Sequence, residues 1–372
     1  GTSFGNTEQT VRACAKCFRF ASTWVANASP PTAAVGVCEF GHGYDAKTWP
    51  TNAWVDSLSK LFELYEPETD PAHGQDLAAQ IQDDWQIFTF ADTEMVRQFL
   101  LSATDDHELL SVGLRVRLRS VEHNDNSDEV ASWTQFSEEI RTLNRYFPQS
   151  APDRDTLEQT LLASVHTVCS DTPLFRARLT ERGGSLTPGE MGAPPPRRAR
   201  AGRANPVGIP YLYLCFAAET CVYETRPSAQ DRLAIATFHA TRELRVLNLA
   251  DTLPPDFFDA ADIEAMPEQI RRVRFHRYLK ALGGELRKPI HSSDQPTDYI
   301  PTQYLCELAK SIGLDGVLYS SSVDPSGHGR NLVLFDPAIA TCDPEIHIAS
   351  IKALSLDWGW TTSAASFNPY PT

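Results

Sequence analysis

The sequence predicts an α+β protein, with a mainly helical N-terminal part followed by a mixed β-sheet domain. Three observations predict this. Helical periodicity dominates to about residue 150. From Pro173 onward, short strand-like runs appear between Pro and Gly turns. These runs follow one another more often than they alternate with helices, which argues for an α+β sheet and against a doubly wound one. The turn cluster Pro148-Gln-Ser-Ala-Pro-Asp153 divides the chain of 372 residues into 1–150 and 151–372.

In the first part, Trp54, Leu58, Leu61, Phe62 and Tyr65 are read on one helical face. Leu77, Ile81, Trp85 and Phe88 form a second stripe, and Trp133, Phe136, Ile140, Leu143 and Phe147 a third. Aromatic stripes at this spacing read as bundle core. A helix from about Asp155 to Cys169 bridges the two parts. Beyond it, LFRARL, IPYLYLCF, LAIATFHA, LRVLNL, GVLY and NLVLF read as strands, with helices at about Ala261–Leu282 and Thr302–Ile312. Met191–Pro196 reads as a loop near the candidate site, in the position of a lid.

Composition bounds the function. The net charge of −15 disfavours broad binding to nucleic acid, which depends on neutralising phosphates with Lys and Arg. No apolar run approaches the roughly 18 residues of a membrane span. The opening GTSFGNTEQT has neither the basic end nor the apolar stretch of a secretory leader, so a cytoplasmic protein is expected. The bunched basic residues Arg197–Arg203 and Arg271–Lys280 suit a pocket for a phosphate-bearing small molecule. GxGxxG, GxxxxGK[ST], GxSxG and HExxH are all absent, so dinucleotide-fold, P-loop, serine-elbow and zincin chemistries have no motif support.

The eight cysteines do not read as a disulfide scaffold at this length. Cys169, Cys215, Cys221 and Cys306 sit singly in apolar contexts and are expected to be buried thiols. Cys14-Ala-Lys-Cys17 followed by Cys38-Glu-Phe-Gly-His42 is compatible with a tetrahedral structural zinc site. No neighbouring base supports a catalytic thiol.

The most informative stretch is Gly202–Pro227. Arg203 stands in a Gly/Asn/Pro turn, a strand carries Tyr211 and Tyr213, and a short helical piece delivers Glu224, with Glu219 as its rival. A cation, aromatic faces and a carboxylate on one compact unit are the parts needed to hold a nucleotide and act on its sugar.

The second half resembles the RES domain family. The resemblance rests on five ordered blocks within about 173–340: Phe175-Arg176-Ala-Arg178; Gly202-Arg203-Ala-Asn205-Pro206-Val-Gly208; Tyr213; Glu224; and Asp315-Gly316-Val-Leu-Tyr319-Ser320-Ser321-Ser322. The trailing Asn331-Leu-Val-Leu-Phe fits as well. Ala177 stands where family members commonly carry Tyr after the first Arg. More weakly, the CAKCF start and the Trp133…Asn144-Arg145-Tyr146-Phe147 helix resemble the HEPN-related extension found before some RES domains.

The RES resemblance implies a fold similar to ADP-ribosyltransferases and cleavage of the nicotinamide–ribose bond of NAD+. Phosphate or water would be the acceptor, as in bacterial toxins that deplete NAD+, or alternatively a protein target. It also implies an antitoxin or regulatory partner. A homo-oligomer is compatible with the sequence. Nicotinamide leaves NAD+ as a neutral molecule and needs no general acid, so one carboxylate suffices, unlike the two of most glycosidases. On this reading Glu224 stabilises the oxocarbenium-like ribose. Arg176 and Arg203 grip the pyrophosphate. Tyr213 and Tyr211 offer ring faces. Asn205 and Asn331 contact substrate, and Ser321, with Ser320 and Ser322 as alternatives, hydrogen-bonds ribose or carboxamide. Of Arg176 and Arg178, one is expected to point inward and the other to solvent, with Arg176 favoured. An R-x4–6-H ribonuclease pattern occurs at Arg117…His123 and again at Arg271…His276; the acidic balance argues against RNA.

Overall fold

A computed structural model describes residues 10–30, 33–70, 73–104, 108–120, 129–181, 184–258, 266–288 and 296–353. In chain order the strands are β1 (Arg12–Cys14), β2 (Ala34–Gly36), β3 (Ala46–Pro50), β4 (Tyr65–Pro67), β5 (Val116–Leu118), β6 (Val165–Val168), β7 (Leu174–Thr180), β8 (Leu212–Cys215), β9 (Arg232–Ala240), β10 (Leu244–Asn248), β11 (Gly316–Ser320), β12 (Arg330–Leu334) and β13 (Ala340–Ser350). The α-helices are α1 (Ala21–Ala26), α2 (Val55–Phe62), α3 (Leu77–Trp85), α4 (Thr93–Ala103), α5 (Glu129–Thr142), α6 (Arg154–Ala163), α7 (Pro188–Met191), α8 (Ala218–Glu224), α9 (Met266–Arg287) and α10 (Ile300–Ser311). The α+β class holds. No described helix is long and apolar enough to cross a membrane. The described chain divides into two compact units, Gly1–Ser164 with Asp251–Glu285, and Val165–Ala250 with Leu286–Thr372.

In the first unit, a three-stranded sheet in the order β1-β3-β2 and the pair β4-β5 accompany the helices. Side-chain caps start three helices: Asp76 accepts from Ala78 N–H at α3, Asp92 from Glu94 N–H at α4 and Asp153 from Thr156 N–H at α6. The core is aromatic. The Phe18 ring lies 5.2 Å from Trp24, 4.7 Å from Trp54 and 5.6 Å from Phe99 between centroids. The 251–285 segment joins this unit through an ion pair on the buried Asp84, where Arg277 donates to both carboxylate oxygens at 2.6 Å and Tyr65 Oη adds a further bond at 2.8 Å.

The second unit is one eight-stranded sheet in the order β13-β9-β7-β8-β12-β11-β10-β6. Every neighbouring pair is antiparallel except β10 and β11. A parallel pair requires a long crossover, and here the chain between β10 and β11 carries both α9 and α10. β11 and β12, central in the sheet, are buried along almost their whole length, whereas β9 alternates buried and half-buried residues.

Several expected elements shift. The helix expected to run to Cys169 ends at Ala163. The β-branched residues Val165, Thr167 and Val168 form β6 instead, an edge strand paired with β10. Cys169, just beyond it, is exposed rather than buried, while Cys215, Cys221 and Cys306 are buried as expected. In the third stripe, Trp133, Phe136 and Ile140 are buried, but Leu143 and Phe147 are 83% and 78% exposed. α5 stops at Thr142, where Asn144 turns the chain by accepting from Phe147 N–H, so the helical register no longer applies. Tyr65 and Phe88 also lie past their helices, yet both are buried, one opening β4 and the other bridging to Phe18. The helix expected at 261–282 is described from Met266 and runs to Arg287; 261–265 lie outside the described residues. The eleven-residue β13 lies beyond the strand-like runs of the sequence.

Candidate active site

The expected nucleotide-binding residues converge on one cavity of about 520 Å³ in the second unit. Its floor is the turn before β8. Gly202 N–H bonds Asn205 O at 2.9 Å, and Asn205 Nδ2 faces the carbonyls of Arg200, Pro206 and Ile209 at 2.9, 3.1 and 3.0 Å. Its Oδ1 accepts from Tyr213 Oη at 2.7 Å. Gln303 on α10 clamps the same turn, donating to the Gly202 and Asn205 carbonyls at 2.8 and 3.1 Å. A side chain at 202 has no room, since a Cβ there would sit 2.6 Å from both Asn205 Oδ1 and Tyr213 Oη. Asn205 and the Tyr213 hydroxyl therefore shape the turn. Nothing in the sequence pattern pointed to Gln303.

The turn delivers Arg203, which is buried and donates to the Leu286 carbonyl at 2.8 Å. Across the cavity Arg176 projects from β7 and donates to Tyr213 O at 3.2 Å, with its Nε buried and unpartnered. Neither guanidinium meets a carboxylate among the described residues. Burial, and then the charge of Arg178, lowers the Arg176 pKa to about 10. Arg178 also lines the cavity. The expected inward–outward split of the two arginines is corrected here, because residues two apart on a strand share a face. They differ in depth: Arg178 is exposed and reaches the Glu190 carbonyl. Arg198 and Arg200 complete five arginines around the cavity, and Pro194 from the proline-rich loop also lines it. Tyr211 contributes its wall, packed on Phe335 at 5.1 Å and under Lys310 at 5.4 Å.

Glu224, the last residue of α8, is the one carboxylate among the residues lining the cavity. Its Oε1 accepts from Ser321 Oγ at 2.7 Å and from Asn331 Nδ2 at 2.6 Å. Ser321 Oγ in turn accepts from the Val323 and Asp324 amides at 3.3 and 3.2 Å, and the residue is 2% exposed. Of the three serines it is Ser321 that reaches Glu224. Ser320 donates to the Ala250 carbonyl, and the buried Ser322 hydroxyl has no partner among the described residues. Asn331 is fixed by Cys215 Sγ, which donates to its Oδ1 at 3.2 Å. A hydrogen bond with Cys221, and then burial, pushes the Cys215 pKa up and keeps it a thiol donor. The result is a carboxylate with Oε1 held by two donors and no hydrogen bond to Oε2 among the described residues. Glu219, the sequence rival, is exposed.

Cys14, Cys17, Cys38 and His42 are brought together in the first unit as a group able to hold a metal ion. Of the ribonuclease patterns, His123 lies outside the described residues and Arg117 is ion-paired with Glu66 at 2.7 Å. Arg271 pairs with Glu268 at 3.1 Å, and burial lowers the His276 pKa.

Comparison with known proteins bears on the second half of the chain. The sequence model of the RES domain matches residues 173–359. The chain belongs to the RES domain family. The matched stretch contains every residue that lines the cavity, from Arg176 to Asn331. A search of curated proteins finds no matching sequence. Among solved structures, the M. tuberculosis MbcT–MbcA toxin–antitoxin complex is similar to the RES chain at 16% identity with a TM-score of 0.29, covering 52% of this chain and 91% of that one.

Proposed function

We propose that the chain consumes NAD+ by breaking its nicotinamide–ribose bond. The observation that carries this reading is one oriented carboxylate, Glu224, sharing a cavity with the buried Arg203 and the half-buried Arg176, neither of which has an acidic partner among the described residues. A buried guanidinium without a counter-charge is costly, and a substrate pyrophosphate supplies the missing anion. Arg176 and Arg203 bind that pyrophosphate, with Arg178, Arg198 and Arg200 at hand for charge that arrives later. The free Oε2 of Glu224 faces the sugar and stabilises positive charge as the C–N bond breaks. Nicotinamide departs as a neutral molecule, so the absence of a second carboxylate along the cavity is no obstacle. Ser321 and Asn331 set the aim of Glu224. Tyr213, whose hydroxyl is occupied by the turn, offers only its ring face.

The test is incubation with NAD+, with and without inorganic phosphate, and separation of the products. Free nicotinamide is expected, with ADP-ribose-1″-phosphate marking phosphate as acceptor and ADP-ribose marking water. Glu224→Gln is expected to slow release by about 10²-fold or more. Undiminished release in that variant sinks the assignment. Label from NAD+ appearing on a protein identifies a transferase, and intact NAD+ beside cut RNA identifies a ribonuclease.

A further inference from the structure

We infer that Cys14, Cys17, Cys38 and His42 enclose a structural zinc ion, bound through His42 Nδ1. The first support is metric. Zinc bonds sulfur at about 2.3 Å and imidazole nitrogen at about 2.0–2.1 Å, so the edges of a zinc tetrahedron are about 3.8 Å for S···S and about 3.6 Å for S···N. Here Cys17 Sγ lies 3.5 Å from Cys38 Sγ and 3.3 Å from His42 Nδ1, and Cys38 Sγ lies 3.7 Å from His42 Nδ1. All four ligand atoms, Cys14 included, fall within 4.8 Å of one another. The set has the size of a zinc shell.

The second support is how the chain builds the group. β1 ends at Cys14, and a 3₁₀ turn over Ala15–Cys17 brings the second thiol back beside the first. The other two ligands sit on a tight loop closed by Cys38 N–H to Gly43 O at 3.2 Å and pinned to β1 by Glu39 N–H to Arg12 O at 3.0 Å. Gly41 and Gly43 hold φ of +84° and +99°, which let so short a loop turn His42 back over the sulfurs. Backbone amides are directed at the sulfurs as well: Lys16 toward Cys14, and Phe40 and His42 toward Cys38. Such outer contacts orient thiolate ligands.

The third support distinguishes the occupant. All three cysteines are free and at most 3% exposed. Three thiols cannot close into disulfides without leaving one over. Thiolates with one imidazole in a tetrahedral frame select zinc among the common biological divalent ions. Four protein ligands leave no open position, so the ion is structural and takes no part in catalysis. β1 and β2 have three residues each, and strands this short need a further tie to hold their geometry. The metal ties them where Phe18 and Phe40 enter the core.

The full chain, expressed with zinc in the medium, is to be assayed for bound metal by mass spectrometry. One zinc per chain is expected, falling below about a tenth in Cys14→Ser/Cys17→Ser, as loss of two ligands demands. Loss of two ligands can also unfold the chain, so cobalt is exchanged into the wild-type protein as an independent measurement. The expected spectrum has the intense visible bands of tetrahedral cobalt with sulfur-to-metal charge transfer in the near ultraviolet. His42→Ala is expected to retain the charge transfer and shift the visible bands. A zinc-selective chelator is expected to lower the wild-type melting temperature and leave the double variant unmoved. A metal-free wild type, undiminished zinc in the double variant, or octahedral cobalt bands each overturn the assignment.

Discussion

Replacing Arg176 by Met is expected to separate stability from function, moving them in opposite directions. The guanidinium pKa falls from 12.5 to about 10, principally through burial, and at about 1.4 kcal/mol per pH unit its charge costs the folded protein ~3 kcal/mol. Because this is a base with a depressed pKa, the cost is fully present below pH 10 and is relieved as pH rises above it. Against the cost stands one hydrogen bond, to Tyr213 O, contributing about 1 kcal/mol. Met keeps most of the apolar stem and removes the charge, so the ligand-free variant is expected to gain about 1–2 kcal/mol. NAD+ or ADP-ribose affinity should fall about 30-fold or more, because truncating one member of a buried charge pair costs at least about 2 kcal/mol. Urea unfolding at pH 7 measures the first quantity and calorimetric titration with ADP-ribose the second. A variant less stable by 2 kcal/mol or more, with ADP-ribose affinity unchanged, would refute the reasoning, since Arg176 would then be a structural residue.

Ser321→Ala and Asn331→Ala should each lower kcat by about 10-fold or more with little change in KM, since each removes one of the two donors that orient Glu224 Oε1 without touching the arginines; single-substrate kinetics reads the split. Gly202→Ala should cost about 1–3 kcal/mol by overpacking the turn against Asn205 and Tyr213, measured by chemical unfolding. Asp315 accepts both Arg242 nitrogens and Arg245 N–H, which hold its pKa below the ordinary value. This contribution is present above the unfolded carboxylate value of about 3.9 and is lost as pH falls through the lower folded value. Asp315→Asn should therefore be less stable than wild type at pH 7, and the difference should shrink in acid. Arg277→Ala should cost about 3–5 kcal/mol by leaving the buried Asp84 carboxylate without its cation, visible as a lower melting temperature.

The strand runs of the second unit were legible from their β-branched and aromatic content, and the cavity residues from the order of Arg176, Gly202–Gly208, Tyr213, Glu224 and the Ser320–Ser322 run. What escaped were features set by distant partners. Val165–Val168 reads as helix or strand by residue type, and its pairing with β10 makes it β6. β13 was missed because half-exposed edge strands carry little apolar signal, and Leu143 and Phe147 were misplaced because periodicity does not show where a helix stops.

The sequence by itself determined the chemistry present: a carboxylate at Glu224 or its rival Glu219, arginines in a Gly/Asn/Pro turn and on a strand, and a Cys/His group with metal-ligand spacing. Those follow from local residue types and spacing. Only the tertiary structure decided which atoms meet. It turned Ser321 and Asn331 onto one oxygen of Glu224, committed Asn205 to the turn, and placed both Arg176 and Arg178 on the cavity face. It also put the 251–285 segment with the first unit by pairing Arg277 with Asp84, residues 193 positions apart. Contacts of that separation depend on how strands and helices pack, which local sequence spacing does not encode.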